Sequence, residues 1–231
     1  MIVNLSSVAG IEIQCKEKIA AFYWYKISET MSYPGKLIFI LGVSGSGKNT
    51  VIREMLKTDL GLTQVISCKT RPLRPDEVDG VDYHYYTDEA FQKAVEEKVF
   101  LEHMQVYDIY WYATRKADII DALVRGEHII KEIDMNGLIH IAKNHTDVRE
   151  VTKSIFIDID DETMKQRIMA RAPMTEDELK KRIDEADFER PLAKQYCTDV
   201  IDGSGLREEV AAHVYALIAA YVGKELTTEM L

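Results

Sequence analysis

Lys48 is the first residue that points to chemistry. It follows Gly42 and Gly47 in the spacing G-x-x-x-x-G-K, within Gly42-Val43-Ser44-Gly45-Ser46-Gly47-Lys48-Asn49-Thr50, which is the pattern of a phosphate-cradling loop. Glycines let the backbone wrap phosphate oxygens at φ values that side chains disfavour. The freed N–H groups and the start of a following helix supply positive potential, and the lysine reaches the outer phosphates. The context fits, because an uncharged apolar run, Leu37 to Leu41, precedes the loop and a helix-like segment, Val51 to Lys57, follows it. The plainer alternative is a Gly-rich turn that binds nothing; the expectation taken forward is a bound nucleoside triphosphate. Asn49 occupies the place that commonly carries Ser or Thr, so Thr50 is the nearest hydroxyl for a magnesium ion.

Three further groups carry charge where phosphates would need it. In Ser67-Cys68-Lys69-Thr70-Arg71-Pro72-Leu73-Arg74, two arginines three residues apart are stiffened by Pro72 and Pro75 and can present two planar forks to one phosphate. A solvated basic turn is the competing reading. Glu132-Ile133-Asp134 closes an apolar strand, and carboxylates there face the phosphate loop and can order a magnesium ion's water shell. A cap on the next helix is the plainer alternative for Asp134, and the two roles are compatible. Arg167 and Arg171 lie four apart on one helix face, with Arg182 further along.

The elements that must position these residues alternate strand and helix, which predicts an α/β fold with a mostly parallel core sheet covered on both faces. Expected core strands are Leu37–Leu41, Gln64–Ser67, His128–Ile133, Ser154–Ile159 and Asp199–Ile201. Expected helices are Lys48–Thr58, Met135–Asn144, Glu162–Arg171, Glu176–Glu189 and Leu206–Val222. The interval 68–126 breaks the alternation with the aromatic runs Tyr83–Tyr86 and Tyr107–Tyr112 and a helix at Asp88–Glu97, so it reads as an inserted subdomain with a small sheet of its own. Residues 1–33 form a separate N-terminal extension, with an aromatic-rich helix expected at Ile19–Ile27, and Tyr33-Pro34-Gly35 marks the break after it.

Composition narrows the partners. The chain has 231 residues and a formal net charge of −10, which argues against a broad nucleic-acid surface. Cys15, Cys68 and Cys197 are scattered and odd in number, as expected in a reducing compartment without a disulfide or zinc framework. No apolar run approaches a membrane span, and the N-terminus lacks a secretory pattern. The expectation is a cytoplasmic protein with small-molecule substrates.

Pro75-Asp76-Glu77-Val78-Asp79-Gly80-Val81-Asp82-Tyr83-His84-Tyr85-Tyr86 and Phe100-Leu101-Glu102 complete a larger pattern. With Ser67, Thr70-Arg71, Arg74, Glu77, Gly80, Asp82-Tyr83 and Glu132-Ile133-Asp134-Met135-Asn136-Gly137 in order, the chain resembles the guanylate kinase family from about Lys36 to Lys224. The resemblance implies a P-loop kinase fold at 34–224: a core (36–67, 127–164 and 191–224), a monophosphate-binding part (68–126) and a helical lid (165–190), with a tail at 225–231. It implies transfer of the γ-phosphoryl of ATP, with Mg2+, to GMP or dGMP. Arg71, Arg74 and Tyr83 match positions that grip the monophosphate; Ser67, Glu102 and Asp134 match positions that read guanine. Arg167, Arg171 and Arg182 match lid arginines. Thr50 and Asp134 are the nominated indirect magnesium contacts. A carboxylate suits guanine, whose N1–H and exocyclic amine are adjacent donors.

The pattern also departs from the family. Its Tyr-Tyr-Gly-Thr stands here as Tyr110-Trp111-Tyr112-Ala113-Thr114. A gapless alignment gives Trp111 the place of a phosphate-contacting tyrosine, whereas one inserted residue returns Tyr112 and Thr114 to the site. Lys69 replaces a threonine, Asp76 a glycine and Asp202 an asparagine near the adenine end. Two alternatives therefore accompany the leading reading. One is a kinase of this fold with another monophosphate acceptor; the other is a guanylate-kinase-like binding module without activity.

Overall fold

The computed structural model describes residues 33–106, 109–171 and 174–225, with the side chains of Val106 and Arg171 outside that description. The chain divides into Met1–Ser32 and Tyr33–Leu231; the helix expected at Ile19–Ile27 lies outside the described residues.

Strands β1 (Leu37–Gly42), β2 (Leu62–Thr63), β7 (His128–Glu132), β8 (Thr152–Asp158) and β9 (Asp199–Asp202) form a sheet in the order β2-β7-β1-β8-β9. Every pairing in it is parallel. The uncharged run of β1 is explained by burial on both faces. Leu37, Phe39 and Leu41 enter one core with Ile129 and Phe156, while Ile38 and Ile40 enter another with Ile130, Ile155 and Ile157. Each such side chain contributes about 1.5–3 kcal/mol by leaving water. Helices α1 (Lys48–Met55) and α8 (Arg207–Val222) cover the second face through Val51, Ile52, Val210 and Val214. Helices α3 (Lys116–Val124), α4 (Met135–Asn144) and α7 (Glu176–Tyr196) cover the first through Ile119, Leu138, Ile141, Ala186 and Ala193. Tyr33, assigned from sequence to the extension, is buried in this first core.

A second sheet, ordered β4-β3-β6-β5, comprises β3 (Cys68–Lys69), β4 (His84–Tyr85), β5 (Phe100–Val106) and β6 (Tyr110–Arg115). Its own core joins Cys68, Phe100 and Ala113 to Phe91 and Ala94 of α2 (Asp88–Glu96), whose start is capped by Thr87. Helices α5 (Thr146–Arg149) and α6 (Asp161–Arg171) complete the described elements. No described helix is long and apolar enough to cross a membrane.

Some expectations are corrected. Residues 64–67 are not a strand, because the chain pairs with β7 only at Leu62–Thr63 and then leaves the core for the second sheet. Helix α1 stops at Met55, where Thr58 Oγ1 donates to the Met55 carbonyl (2.6 Å). Helix α3, unanticipated, follows β6 directly. Helix α7 continues past Glu189 and through Pro191. Proline removes one backbone donor there, and the adjoining Arg190 anchors the turn by donating to Asp158 (3.0 Å), Asp161 (2.8 Å) and the Ile159 carbonyl (2.8 Å).

Candidate active site

Parallel pairing with Ile40 opposite Glu132 makes the glycine loop after β1 and the turn after β7 leave the sheet at the same edge, the carboxyl edge where open α/β sheets bind ligands. Gly42 is required by proximity: a Cβ there would lie 2.3 Å from the Ile157 carbonyl oxygen. Gly47 is required by conformation, with φ +91 immediately before α1. No side chain caps α1, so its first N–H groups face the loop. Lys48 Nζ donates to the Gly42 (2.7 Å) and Val43 (3.2 Å) carbonyls and lies 3.8 Å from Glu132. Burial holds its pKa below the ordinary lysine range, against the opposing charges of Glu132, Glu189 and Glu185.

A cavity of about 560 Å³ runs from this loop to the second sheet. Gly42, Ser44, Lys48 and Asn49 line one end, and Ser67, Tyr83, Glu102, Tyr112 and Lys131 line the other. Glu132, Asp134, Arg182, Glu185 and Glu189 line the space between. Glu102 reaches the cavity because of a register shift between Phe100 and Glu102. The irregularity sends Phe100 into the second core and Leu101 into the first, and leaves Glu102 opposite Thr114. Thr114 Oγ1 donates to Glu102 Oε1 (2.6 Å). Burial lifts the Glu102 pKa, while that hydrogen bond and the charge of Lys131 pull it back.

Strand alternation resolves the two alignments of the aromatic stretch. Trp111 turns into the second core, stacked on Phe91 at 5.8 Å between ring centroids. Tyr112 lines the cavity and Thr114 binds Glu102, so Tyr112 and Thr114, not Trp111, stand at the site.

The arginine pair is organised by Glu77, a residue whose part in this the sequence did not disclose. Arg71, Lys69 (3.1 Å) and Tyr85 (2.6 Å) donate side-chain hydrogen bonds to it, and the Arg74 backbone N–H a fourth (2.9 Å). Burial raises the Glu77 pKa, but these donors outweigh it and hold the carboxyl at about 2. Lys69, almost wholly buried, also places its ammonium 3.1 Å from the centre of the Tyr83 ring. Arg74 is exposed at the mouth of this group.

Of the three lid arginines, Arg182 meets the phosphate loop, donating to Ser44 Oγ (2.7 Å). Arg167 does not enter the cavity. It donates to the carbonyls of Gly203 (3.0 Å), Ser204 (3.4 Å) and Gly205 (3.5 Å), because α6 runs beside the loop that precedes α8. The Arg171 side chain lies outside the described residues. Asp134 caps α4, accepting from the Gly137 N–H (2.7 Å), and also lines the cavity. Thr50, nominated for magnesium, sits in the first turn of α1, whereas Asn49 lines the cavity. The oxygens of Asn49, Glu132 and Asp134 fit a hard cation held partly through water.

Lys131, Glu185 and Glu189 were missed from the sequence. A signal existed for Lys131: a lysine inside the otherwise apolar His128–Ile133 run.

Comparison with known proteins gives a consistent result. The family model described as guanylate kinase matches residues 34–221. A guanylate kinase of Clostridioides difficile is 37% identical over 166 residues, covering 70% of this chain and 77% of that protein. One from Paramagnetospirillum magneticum is 33% identical over 192 residues, covering 83% and 87%. The crystal structure of guanylate kinase from Anaplasma phagocytophilum superposes with a TM-score of 0.61 at 24% identity, over 82% of this chain and 87% of that one.

Proposed function

The chain belongs to the guanylate kinase family, and we propose that it transfers the γ-phosphoryl of ATP to GMP or dGMP. One observation carries this reading: a single cavity joins the Lys48 loop to the buried Glu102–Thr114 pair. The loop suits a triphosphate, and a buried carboxylate beside a hydroxyl suits the paired donors of guanine.

In this reading the N–H groups of 43–50 and Lys48 hold the donor phosphates. Arg71, Arg74 and Tyr83 grip the acceptor phosphate, with Glu77 and the Pro72 carbonyl holding the Arg71 guanidinium in place. Glu102, Thr114, Ser67 and Asp134 orient the base, and Tyr112 closes the pocket. Residues 68–126 act as the acceptor-binding part and 165–190 as a lid. Arg182 brings charge to the transferring group, and Arg167 steadies the 203–205 loop beside the donor. Phosphoryl transfer asks for positioning and charge stabilisation more than covalent help. Mg2+, which Asn49, Glu132 and Asp134 would hold, neutralises phosphate charge when bound. The scattered cysteines support a reducing, cytoplasmic setting.

The test is a coupled ADP-release assay with ATP, Mg2+ and each nucleoside monophosphate in turn. Turnover confined to GMP and dGMP is expected. Preference for another acceptor would move the specificity, and binding without turnover would mark a binding module.

A further inference from the structure

Period-two alternation in β7 sends Ile129 into the first core, where Ile133 just past the strand's end also packs, and Lys131 shares the face of Ile129. An apolar side chain is the default there; instead a lysine is 7% exposed. Its ammonium is not idle: Nζ donates to Ser67 Oγ at 2.6 Å. Both residues line the same cavity as Glu102. This end of the cavity therefore offers two polar pairs of opposite character, a cation with a hydroxyl (Lys131 and Ser67) and a carboxylate with a hydroxyl (Glu102 and Thr114).

That polarity matches one purine edge. Guanine presents an O6 acceptor beside the N1–H and amine donors, whereas adenine presents a 6-amino donor. We propose that Lys131 is a specificity-determining residue, its ammonium donating to the 6-oxo group of the acceptor base together with Ser67 while Glu102 receives the donors. A 6-amino purine sets donor against ammonium beside two buried side chains, each 7% exposed, which is rejection by a built-in mismatch. Burial lowers the Lys131 pKa, and the charge of Glu102 is the largest influence opposing that shift. The inference rests on the guanylate kinase reading and deepens it, since the family pattern assigns nothing to this position.

The experiment compares GMP with 6-thio-GMP, which keeps N1–H and the amine and replaces the 6-oxo group with a larger, weaker acceptor. Wild type is expected to favour GMP by roughly 10-fold or more, the worth of a hydrogen bond to a charged donor. Lys131→Met is expected to lower kcat/KM for GMP roughly 10- to 100-fold, to leave the KM for ATP unchanged, and to bring the GMP/6-thio-GMP ratio toward one. A merely structural lysine, or one that only keeps Glu102 ionised, predicts equal losses for both acceptors. A preserved ratio overturns the proposal, as does absence of discrimination in wild type. Should Lys131→Met not fold, Lys131→Gln reads the same ratio, with the same outcomes deciding. Failure of wild type to use GMP at all would instead sink the underlying reaction, a result distinguishable from the variant's.

Discussion

At the scale of single residues, burial decides which charges do chemistry. Lys48 is desolvated, which lowers its pKa against the opposing charges of Glu132, Glu189 and Glu185, and its Nζ is directed at the loop carbonyls of Gly42 and Val43. Lys48→Ala is expected to lower kcat by about 10²–10³-fold, the effect of removing one preorganised charge contact, with little change in the KM for GMP; the coupled assay reads both. Glu189 offers a titration. Burial first, then repulsion from Glu185, raises its pKa from 4.5 to about 7, with Lys48 pulling the other way. The folded protein thus keeps a proton that the unfolded chain has lost between those values, and stability falls as pH rises from 4.5 to about 7, then levels. Glu189→Gln abolishes that dependence. Its Tm relative to wild type is expected to rise between pH 5 and pH 8 by about 2–4 °C per kcal/mol recovered, a shift that thermal melts across pH would detect. A difference flat with pH would contradict the assignment.

At the scale of elements, one strand separates structure from function by alternation alone. On β6, Trp111 faces the aromatic core of the second sheet and Tyr112 the cavity. Trp111→Ala is expected to cost about 2–4 kcal/mol of stability through lost aromatic packing, measured by denaturant unfolding. Tyr112→Phe should leave stability nearly unchanged and raise the KM for the acceptor up to about tenfold, the effect of one lost hydrogen bond. The opposite outcome would mean a register slip of one residue. The loop after β1 is similarly intolerant. A methyl at Gly42 would press on the carbonyl of Ile157 at 2.3 Å, so Gly42→Ala must displace β1 from β8.

At the scale of the whole molecule, α7 ties the parts together. Its middle contacts the phosphate loop through Arg182, and Arg190 near its end grips the carboxyl end of β8 and the start of α6. A ligand held between these parts stabilises the folded form by mass action. GMP at 100 times its Kd is expected to add about 2.7 kcal/mol, hence to raise Tm by about 5–10 °C. The same concentration of AMP should move it far less, and scanning calorimetry compares the two directly. Equal shifts would remove the basis for acceptor discrimination.

The parallel sheet, the glycine loop and the carboxylate that lines the cavity at Glu102 were legible in the sequence because each rests on local rules: an unbroken apolar run, glycines at set intervals, a motif with a known order. Residues 64–67 misled for a related reason, since β-branched Val65 and Ile66 suit a strand without saying whether the segment finds a pairing partner. What only tertiary structure decided was direction. Whether Trp111 or Tyr112 faced the site depended on the register of β6 against β5, set by an irregularity at Leu101 with no local signature. Arg167 carried the spacing of a lid residue but was claimed by three carbonyls 36 to 38 residues away. Lys131 met Ser67 across 64 residues. Chain order dictates which groups are available; long-range packing, through burial and the partners it forces on each charge, dictates which of them the ligand meets.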